Sequence, residues 1–284
     1  MKNLRISSGL TLHSFPTDDP FEYIRQGLEY HKRAGFDAVD LSLNFYTNLL
    51  GDRPQPILER ALDYANSIGM PIELTHLPFT TESKPEDPAH FSARMHLGID
   101  CAKLLGVAYA AIHPATPTLP MDQYDRKQQF EAVVADLAPY VEHAKRIGVN
   151  LAVENMRPLI LPVPYHRYCS QADELCEVAD ALDIGCCWDF GHAHISGVKQ
   201  SEGLACVGER LKMLHINDNH AAIDVHLAPW LGTIDWADAM QGLSAIGFEG
   251  LLNYEIIATN QPAAVREAYG HYLVDAAKEL RRLL

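Results

Sequence analysis

The sequence predicts an α/β fold in which strands and helices alternate, a single (β/α)8 TIM barrel over residues 1–284. A unit of helical residues, a glycine and an apolar strand recurs along the chain, and eight such strands can be placed. The length of 284 residues is close to the roughly 250 that this barrel usually needs. Nearly continuous apolar strands are typical of a parallel sheet that is buried on both faces.

Five strands directly follow a glycine that ends helical sequence. Glycine is suited to this place because it readily adopts the left-handed conformation that terminates helices. The strings are GFDAVDLSL, GMPIELTHL, GVAYAAIHP, GVNLAVENM and GFEGLLNYEI, and LRISSGL, DIGCCWDFGH and KMLHIND complete the set. The eight predicted strands cover about 4–10, 38–43, 72–77, 108–113, 150–155, 184–189, 212–217 and 250–256.

The intervals between the strands read as helices. The clearest helix covers about 123–146, where Phe130, Val133, Leu137 and Val141 recur at helical spacing. A doubly wound open sheet is the competing fold, but that fold usually has a glycine-rich phosphate loop after its first strand. The corresponding stretch here, SSGLTLHSFP, has no G-x-G-x-x-G motif, which favours the barrel.

The composition indicates a globular protein that acts on small molecules. Hydrophobic residues make up 48% of the chain, and 23 basic against 37 acidic residues give a net charge of −14. Such an acidic surface argues against nucleic acid and anionic membranes as partners. No apolar run is long enough for a signal peptide or a membrane span, and the six cysteines form no C-x-x-C pair. We therefore expect reduced thiols and a cytoplasmic location.

Polar residues lie at or just after the C-terminal ends of the predicted strands. In a (β/α)8 barrel these ends meet at one mouth, so the side chains should converge. A single histidine or carboxylate at such a place is often only structural, and the argument therefore depends on convergence. Packing several carboxylates together is costly unless a cation neutralises them, and a divalent metal binds both residue types. The residues are His76, His113, Glu154, Asp189, His192, His215, Asp218, Asp224, His226 and Glu255.

Several strings resemble, in order and spacing, the xylose-isomerase-like TIM-barrel superfamily. They are VENM, WDFGHAHISG, HINDN, DVHLAPWLGTIDW and YEI, and the resemblance covers essentially the whole chain. The superfamily includes sugar and sugar-phosphate isomerases and epimerases of the tagatose 3-epimerase type, inosose dehydratases and, more distantly, endonuclease IV. The D-x-G-H and D-x-H…G-x-I-D-W motifs are specific to the superfamily but not to one of its reactions.

The resemblance implies a metal site made of Glu154, Asp189, His215 and Glu255. Three carboxylates and one imidazole favour Mn²⁺ first, with Co²⁺, Mg²⁺ or Zn²⁺ as alternatives. The resemblance also implies a sugar isomerase or epimerase, which removes a proton from the carbon beside a carbonyl and forms a metal-stabilised enediolate. Glu154 and Glu255 would be the catalytic base and acid, and His192 would orient a substrate oxygen. Relatives of this type are often homo-oligomers, so we expect one here.

Further residues are candidates for substrate binding. Arg157 could hold an anionic group, although a loop salt bridge is the simpler interpretation of its position. Trp230 stands where related chains often have glycine and could form an aromatic wall for a sugar. We expect the proline-rich segment 157–170 to be a loop, either a lid or a subunit contact.

Two alternative functions remain open. Five residues match positions that bind additional zinc ions in endonuclease IV: His76, His113, His192, Asp224 and His226. If no additional ion binds in this chain, His76 and His113 could contact the substrate instead. Two or three metals would favour a zinc phosphoesterase. However, no Lys- or Arg-rich stretch suits a nucleic acid duplex. The third alternative is a non-catalytic sugar- or metal-binding barrel, which would not need the pair of glutamates.

Overall fold

The computed structural model describes residues 4–12, 15, 17–44, 51, 53–80, 87–114, 119–161, 163–257 and 261–284. Eight parallel strands form a nearly closed barrel with helices around it, which confirms the predicted fold class. All eight predicted strands are present, and each is shorter than predicted. They are β1 (Ile6–Gly9), β2 (Ala38–Asp40), β3 (Ile72–His76), β4 (Tyr109–Ile112), β6 (Leu151–Glu154), β9 (Gly185–Asp189), β10 (Leu211–His215) and β11 (Leu252–Tyr254).

The barrel closes between its last two strands in chain order. The strands neighbour one another in the order β10-β9-β6-β4-β3-β2-β1-β11, and a parallel bridge from Ile216 to Tyr254 joins the two ends. The N–H of Ile216 donates to the Asn253 carbonyl at 2.8 Å, and the N–H of Glu255 donates to the Ile216 carbonyl at 3.1 Å. These bonds lie at the C-terminal mouth, so the closure itself sets the position of Glu255 beside β10.

The helices occupy the predicted intervals. The helix predicted at 123–146 runs from Arg126 to Ile147, and the side chain of Asp125 caps its N-terminus. It ends at Gly148 in the left-handed conformation, with φ of 75°, as the glycine pattern predicts. The helices are α1 (Pro20–Ala34), α2 (Gln55–Ile68), α3 (Pro88–Leu105), α4 (Arg126–Ile147), α5 (Ala172–Leu182), α6 (Phe190–Ile195), α7 (Gln200–Val207), α8 (Trp236–Ala245) and α9 (Ala263–Arg282).

The segment 157–170 is not simply a loop, so that expectation was wrong for part of it. It contains the antiparallel strands β7 (Leu159–Leu161) and β8 (Val163–His166), and β8 also pairs with β5 (Leu119–Pro120) outside the barrel. The sequence did not predict this hairpin because the segment contains several prolines, and proline lacks the N–H that donates a hydrogen bond to a neighbouring strand. Residue 162 of the segment lies outside the described residues.

The barrel interior below the site is filled by small and medium side chains. Leu74, Ala111, Ala152, Cys187 and Met213 pack together there and are at most 4% exposed. All six cysteines are free thiols, and five of them are buried. No helix among the described residues combines the length and apolarity that crossing a bilayer requires.

Candidate metal centre

Four side chains from consecutive strand ends of the second half of the barrel meet at its C-terminal mouth. Glu154, Asp189, His215 and Glu255 each offer one ligand atom, and these atoms lie within 4.8 Å of one another. The Nδ1 atom of His215 is 3.0 Å from Glu154 Oε2 and 3.3 Å from Glu255 Oε2. Glu154 is almost fully buried, whereas the Glu255 side chain is 31% exposed toward the mouth. We refer to these four residues as the tetrad.

Hydrogen bonds hold Asp189 of the tetrad in place. Its Oδ1 accepts from the backbone N–H of His192 and its Oδ2 from Asn217 Nδ2, both at 2.6 Å. Gly191 allows this arrangement, because a Cβ at that position would lie 1.9 Å from Asn217 Oδ1. The glycine of the D-x-G-H motif therefore serves the close approach of Asn217, which leaves Asp189 with a fixed orientation.

Two further histidines approach the same oxygen of Glu154 that His215 contacts. The Nε2 atoms of His76 and His113 are 3.2 and 3.1 Å from Glu154 Oε2. The Nδ1–H of His76 donates to the carbonyl of Leu77 at 2.7 Å, so a neutral ring presents the lone pair of Nε2 to the carboxylate. Two electron-rich atoms at this distance repel unless a proton or a metal ion lies between them.

Asp224 has two histidines around it in a similar arrangement, and we refer to Asp224, His192 and His226 as the third group, after the tetrad and the pair His76 and His113. Its Oδ2 is 3.2 Å from His192 Nε2, and its Oδ1 is 3.4 Å from His226 Nε2. The Nδ1–H of His192 donates to the Asn155 carbonyl at 2.8 Å, and that of His226 to the Glu255 carbonyl at 2.7 Å. Histidines that bind metals usually anchor their second nitrogen in this way.

The residues fit a divalent ion. Glu154 Oε1, His215 Nδ1 and Asp224 Oδ1 are buried and have no hydrogen-bond partner within the described parts of the chain. His215 Nδ1 and Asp224 Oδ1 nevertheless lie 3.0 and 3.4 Å from another candidate ligand atom, Glu154 Oε2 and His226 Nε2 respectively. Two ligands about 2.1 Å from one ion at angles of about 90–110° are separated by about 3.0–3.4 Å. A ligand atom of Cys187 also lies within 4.8 Å of those of Glu154 and His215, and burial raises the pKa of its thiol to about 12.

Protons take the place of a cation when no metal is bound. Burial tends to lower the pKa of His215. The negative charges of Cys187, Glu154 and Glu255 outweigh burial and raise the pKa of His215 well above the usual value. Burial raises the pKa of Asp189 to about 7. Burial tends to raise the pKa of Glu154, but the charges of His215 and His113 outweigh this effect and hold the pKa well below the usual value. The metal-free cluster therefore retains protons at neutral pH.

We expect a divalent ion that binds at pH 7 to displace these protons. Coordination requires a neutral imidazole at His215 and an ionised carboxylate at Asp189, so the apparent metal affinity rises with pH and falls on acidification. Titration calorimetry with Mn²⁺ in buffers of different ionisation enthalpy measures the number of protons released. A binding enthalpy that is the same in every buffer contradicts the expectation.

The two remaining candidates for substrate binding, Arg157 and Trp230, differ in their surroundings. Arg157 Nε donates to Asp224 Oδ2 at 2.9 Å, which joins it to the third group. Trp230 is 46% exposed, and its φ of 67° lies in the left-handed region that favours glycine. Stacking of its ring on a sugar stays a prediction.

Asp218 has a structural role. Its Oδ1 accepts from the backbone N–H groups of Asn219 and Ile234, at 2.8 and 3.1 Å. Its Oδ2 accepts from the N–H of Trp230 and the indole Nε1 of Trp236, both at 3.0 Å. With four donors around it, this carboxylate holds the loop that carries the D-x-H motif. The tryptophan of G-x-I-D-W, Trp236, supplies one of these donors through its indole N–H.

Sequence reasoning missed Asp40. It is the last residue of β2 and is 4% exposed, and its Oδ2 accepts from Asn253 Nδ2 at 2.9 Å. Burial raises the pKa of this carboxyl, and the charges of His215 and His76 act in the opposite direction. The signal was available, because Asp40 is also a polar residue at a strand end, but it lies inside a longer predicted strand.

Comparisons with known proteins agree on the fold. The family model described as xylose isomerase-like TIM barrel matches residues 28–273. The uncharacterized protein y4fM of Sinorhizobium fredii is 23% identical over 272 residues, which cover 87% of this chain and 86% of that protein. A xylose isomerase domain protein from Alicyclobacillus acidocaldarius superposes with a TM-score of 0.75 at 17% identity over 98% of both chains. D-allulose 3-epimerase from Methylomonas sp. superposes with a TM-score of 0.73 at 16% identity over 99% of both chains.

Proposed function

Because this chain belongs to the xylose isomerase-like TIM-barrel family, we propose that it is a divalent-metal-dependent isomerase or epimerase of a sugar or sugar phosphate. The observation that carries the proposal is the tetrad, in which two glutamates and two further ligand residues share one point at the barrel mouth. The similarity in fold to an allulose 3-epimerase is consistent with it. We propose Mn²⁺ as the metal, since three of the four ligands are carboxylates.

The two glutamates suit the transfer of a proton beside a carbonyl. A bound divalent ion would supply the positive charge that stabilises the developing oxyanion. Burial opposes ionisation of Glu255, but the charges of His215 and His226 lower its pKa, so it is ionised at neutral pH and able to accept a proton. Glu154 lies deeper than Glu255. A carbon held between them loses its proton to one carboxylate and regains one from the other, which inverts the centre.

His192 is proposed to orient a substrate oxygen. Its Nδ1–H is engaged by the Asn155 carbonyl, and its Nε2 points toward Asp224 at 3.2 Å. The Nδ1–H bond fixes the ring, and a substrate hydroxyl would replace Asp224 as the partner of Nε2.

A metallophosphoesterase is the second candidate, and one observation favours it. Beside the tetrad, the structure brings together two more groups with metal-ligand chemistry, His76 with His113 and His192 with Asp224 and His226. Two or three ions could hold a hydroxide and a phosphate ester at once. A non-catalytic binding barrel is less well supported, because it does not require two glutamates at one point.

Solvent exchange tests the proposal. The metal-loaded protein is incubated in D₂O with a panel of ketoses and ketose phosphates, and NMR measures deuterium at the carbon beside the carbonyl. We expect incorporation with at least one compound and none after chelation. Hydrolysis of phosphate mono- and diesters is assayed in parallel. Ester hydrolysis without deuterium incorporation would replace the isomerase proposal with the phosphoesterase.

A further inference from the structure

Two cysteines meet on helices that surround the barrel. Cys176 lies in α5 and Cys206 in α7, and their Sγ atoms are 3.9 Å apart. The two helices pack side by side. Cys206 is exposed to solvent, whereas Cys176 is only 8% exposed. The fold therefore brings one accessible thiol into contact with one covered thiol, and we refer to these two residues as the thiol pair.

The geometry of the thiol pair suits a disulfide. The S–H of Cys176 donates to the carbonyl oxygen of Cys206 at 3.5 Å, so the Cys176 side chain is directed toward α7. The sulfurs of a disulfide are about 2.0 Å apart, which means that the two Sγ atoms have to approach each other by about 1.9 Å. Cys206 is next to last in α7, and Gly208 follows that helix with a φ of 55°. The position of Cys206 at a helix end favours the small adjustment that the bond requires.

Burial and charge give the two thiols different roles. The thiolate is the reactive form of cysteine, and an external reagent reaches the exposed Cys206 first. Burial and then the charge of Cys206 raise the pKa of Cys176 to about 12, and the charge of Arg210 acts to lower it. Once Cys206 is bonded to another sulfur, it has no negative charge, so one cause of the raised pKa of Cys176 is removed. The covered thiol therefore becomes easier to ionise after the exposed thiol has reacted.

We propose that the thiol pair is a modification site, at which Cys176 and Cys206 form a reversible disulfide by exchange with a low-molecular-weight disulfide. First, the Cys206 thiolate attacks one sulfur of that disulfide, whose S–S bond breaks, and a mixed disulfide and one free thiolate result. The Cys176 thiolate then attacks Sγ of Cys206, the mixed S–S bond breaks, and a second thiolate leaves. The thiol pair loses two electrons and two protons, and the external disulfide takes them up and becomes two thiols.

The link closes a loop that contains part of the candidate metal centre. The tetrad residue Asp189 lies within the 176–206 loop. Gln200 is the first residue of α7, and its Oε1 accepts from Trp188 Nε1 at 2.9 Å. Its Nε2 donates to the carbonyl of Phe190, also at 2.9 Å. Because α7 thus holds both chain neighbours of Asp189, the disulfide fixes to α5 the helix that supports this metal ligand.

Equilibration with glutathione tests this inference. The full-length wild type, C176S, C206S and C101S are incubated with oxidised glutathione at neutral pH, quenched with acid and mapped by mass spectrometry of their peptides. We expect a Cys176–Cys206 link in the wild type and in C101S, with the loss of two hydrogen atoms per chain. C176S should stop at one glutathione on Cys206, and C206S should form neither the link nor an adduct. C101S is the matched control, since Cys101 is also a buried helix thiol but lies in α3.

The wild-type peptide map decides the outcome even if a serine variant does not fold. Excess reduced glutathione should return the linked protein to two free thiols, because the proposed bond is reversible. A wild type that stays fully reduced, that carries glutathione on Cys206 without a link, or that joins other cysteines instead overturns the proposal. No substrate is needed for these measurements, so their result is independent of the proposed isomerase function.

Discussion

Replacement of Glu154 by glutamine should lower the rate of deuterium exchange into the preferred ketose by about 10²- to 10⁴-fold, the usual contribution of a general base or acid. Its Oε2 lies within 3.2 Å of His76, His113 and His215, so the amide would also place an N–H group where a cation or proton is expected. Glu255→Gln should cause a loss of similar size. NMR of the exchanged sugar measures both variants.

A control is needed because a buried substitution can also unfold the barrel. Glu73→Gln removes a carboxylate at the opposite mouth, where Glu73 pairs with Arg5, and it should leave exchange unchanged. Circular dichroism and metal analysis of each variant separate loss of fold or metal from loss of proton transfer. Full exchange in both Glu154→Gln and Glu255→Gln would remove the proposed acid–base roles.

Removal of the metal is the second large effect that we expect. Chelation should reduce exchange to the uncatalysed background, and Mn²⁺ should restore it. The melting temperature should fall as well, because an ion that binds only the folded state at 100 times its Kd contributes about 2.7 kcal/mol. Thermal melts before and after chelation, with exchange assays on the same samples, check both effects. A protein that is equally active and equally stable without metal contradicts the proposal.

The number of ions per chain distinguishes the two candidate functions. About one Mn or Co per chain after gentle purification, determined by mass spectrometry of the metals, agrees with a tetrad-centred isomerase. Two or three zinc ions per chain would indicate that the His76–His113 and Asp224 groups are also filled. That result would favour phosphate-ester hydrolysis.

The fold and the convergence of the polar residues were predictable for a local reason. Five of the eight strands follow a helix-ending glycine and are short apolar runs, and several strands carry a polar residue at the C-terminal end, as those of Glu154 and Asp189 do. Parallel strands in a barrel share one direction. Knowing the end of each strand is therefore enough to predict that these side chains meet at one mouth.

Contacts between distant parts of the chain were not predictable in the same way. Arg157 and Asp224 are 67 positions apart, and they meet only because two separate loops end at the same mouth. The β7–β8 hairpin forms despite its prolines, since pairing with β5 adds contacts that local preferences do not reveal. Trp230 has a positive φ, and its N–H donates to Asp218, 12 positions earlier in the chain.

From the amino-acid order alone follow the eight-stranded barrel and the gathering of histidines and carboxylates at its C-terminal mouth, because both arise from short patterns repeated along the chain. Only the three-dimensional arrangement sorts those side chains into the tetrad and its neighbouring groups. The reason is physical: hydrogen-bond partners and charge pairs depend on distances of a few ångströms, and barrel closure and strand register set those distances.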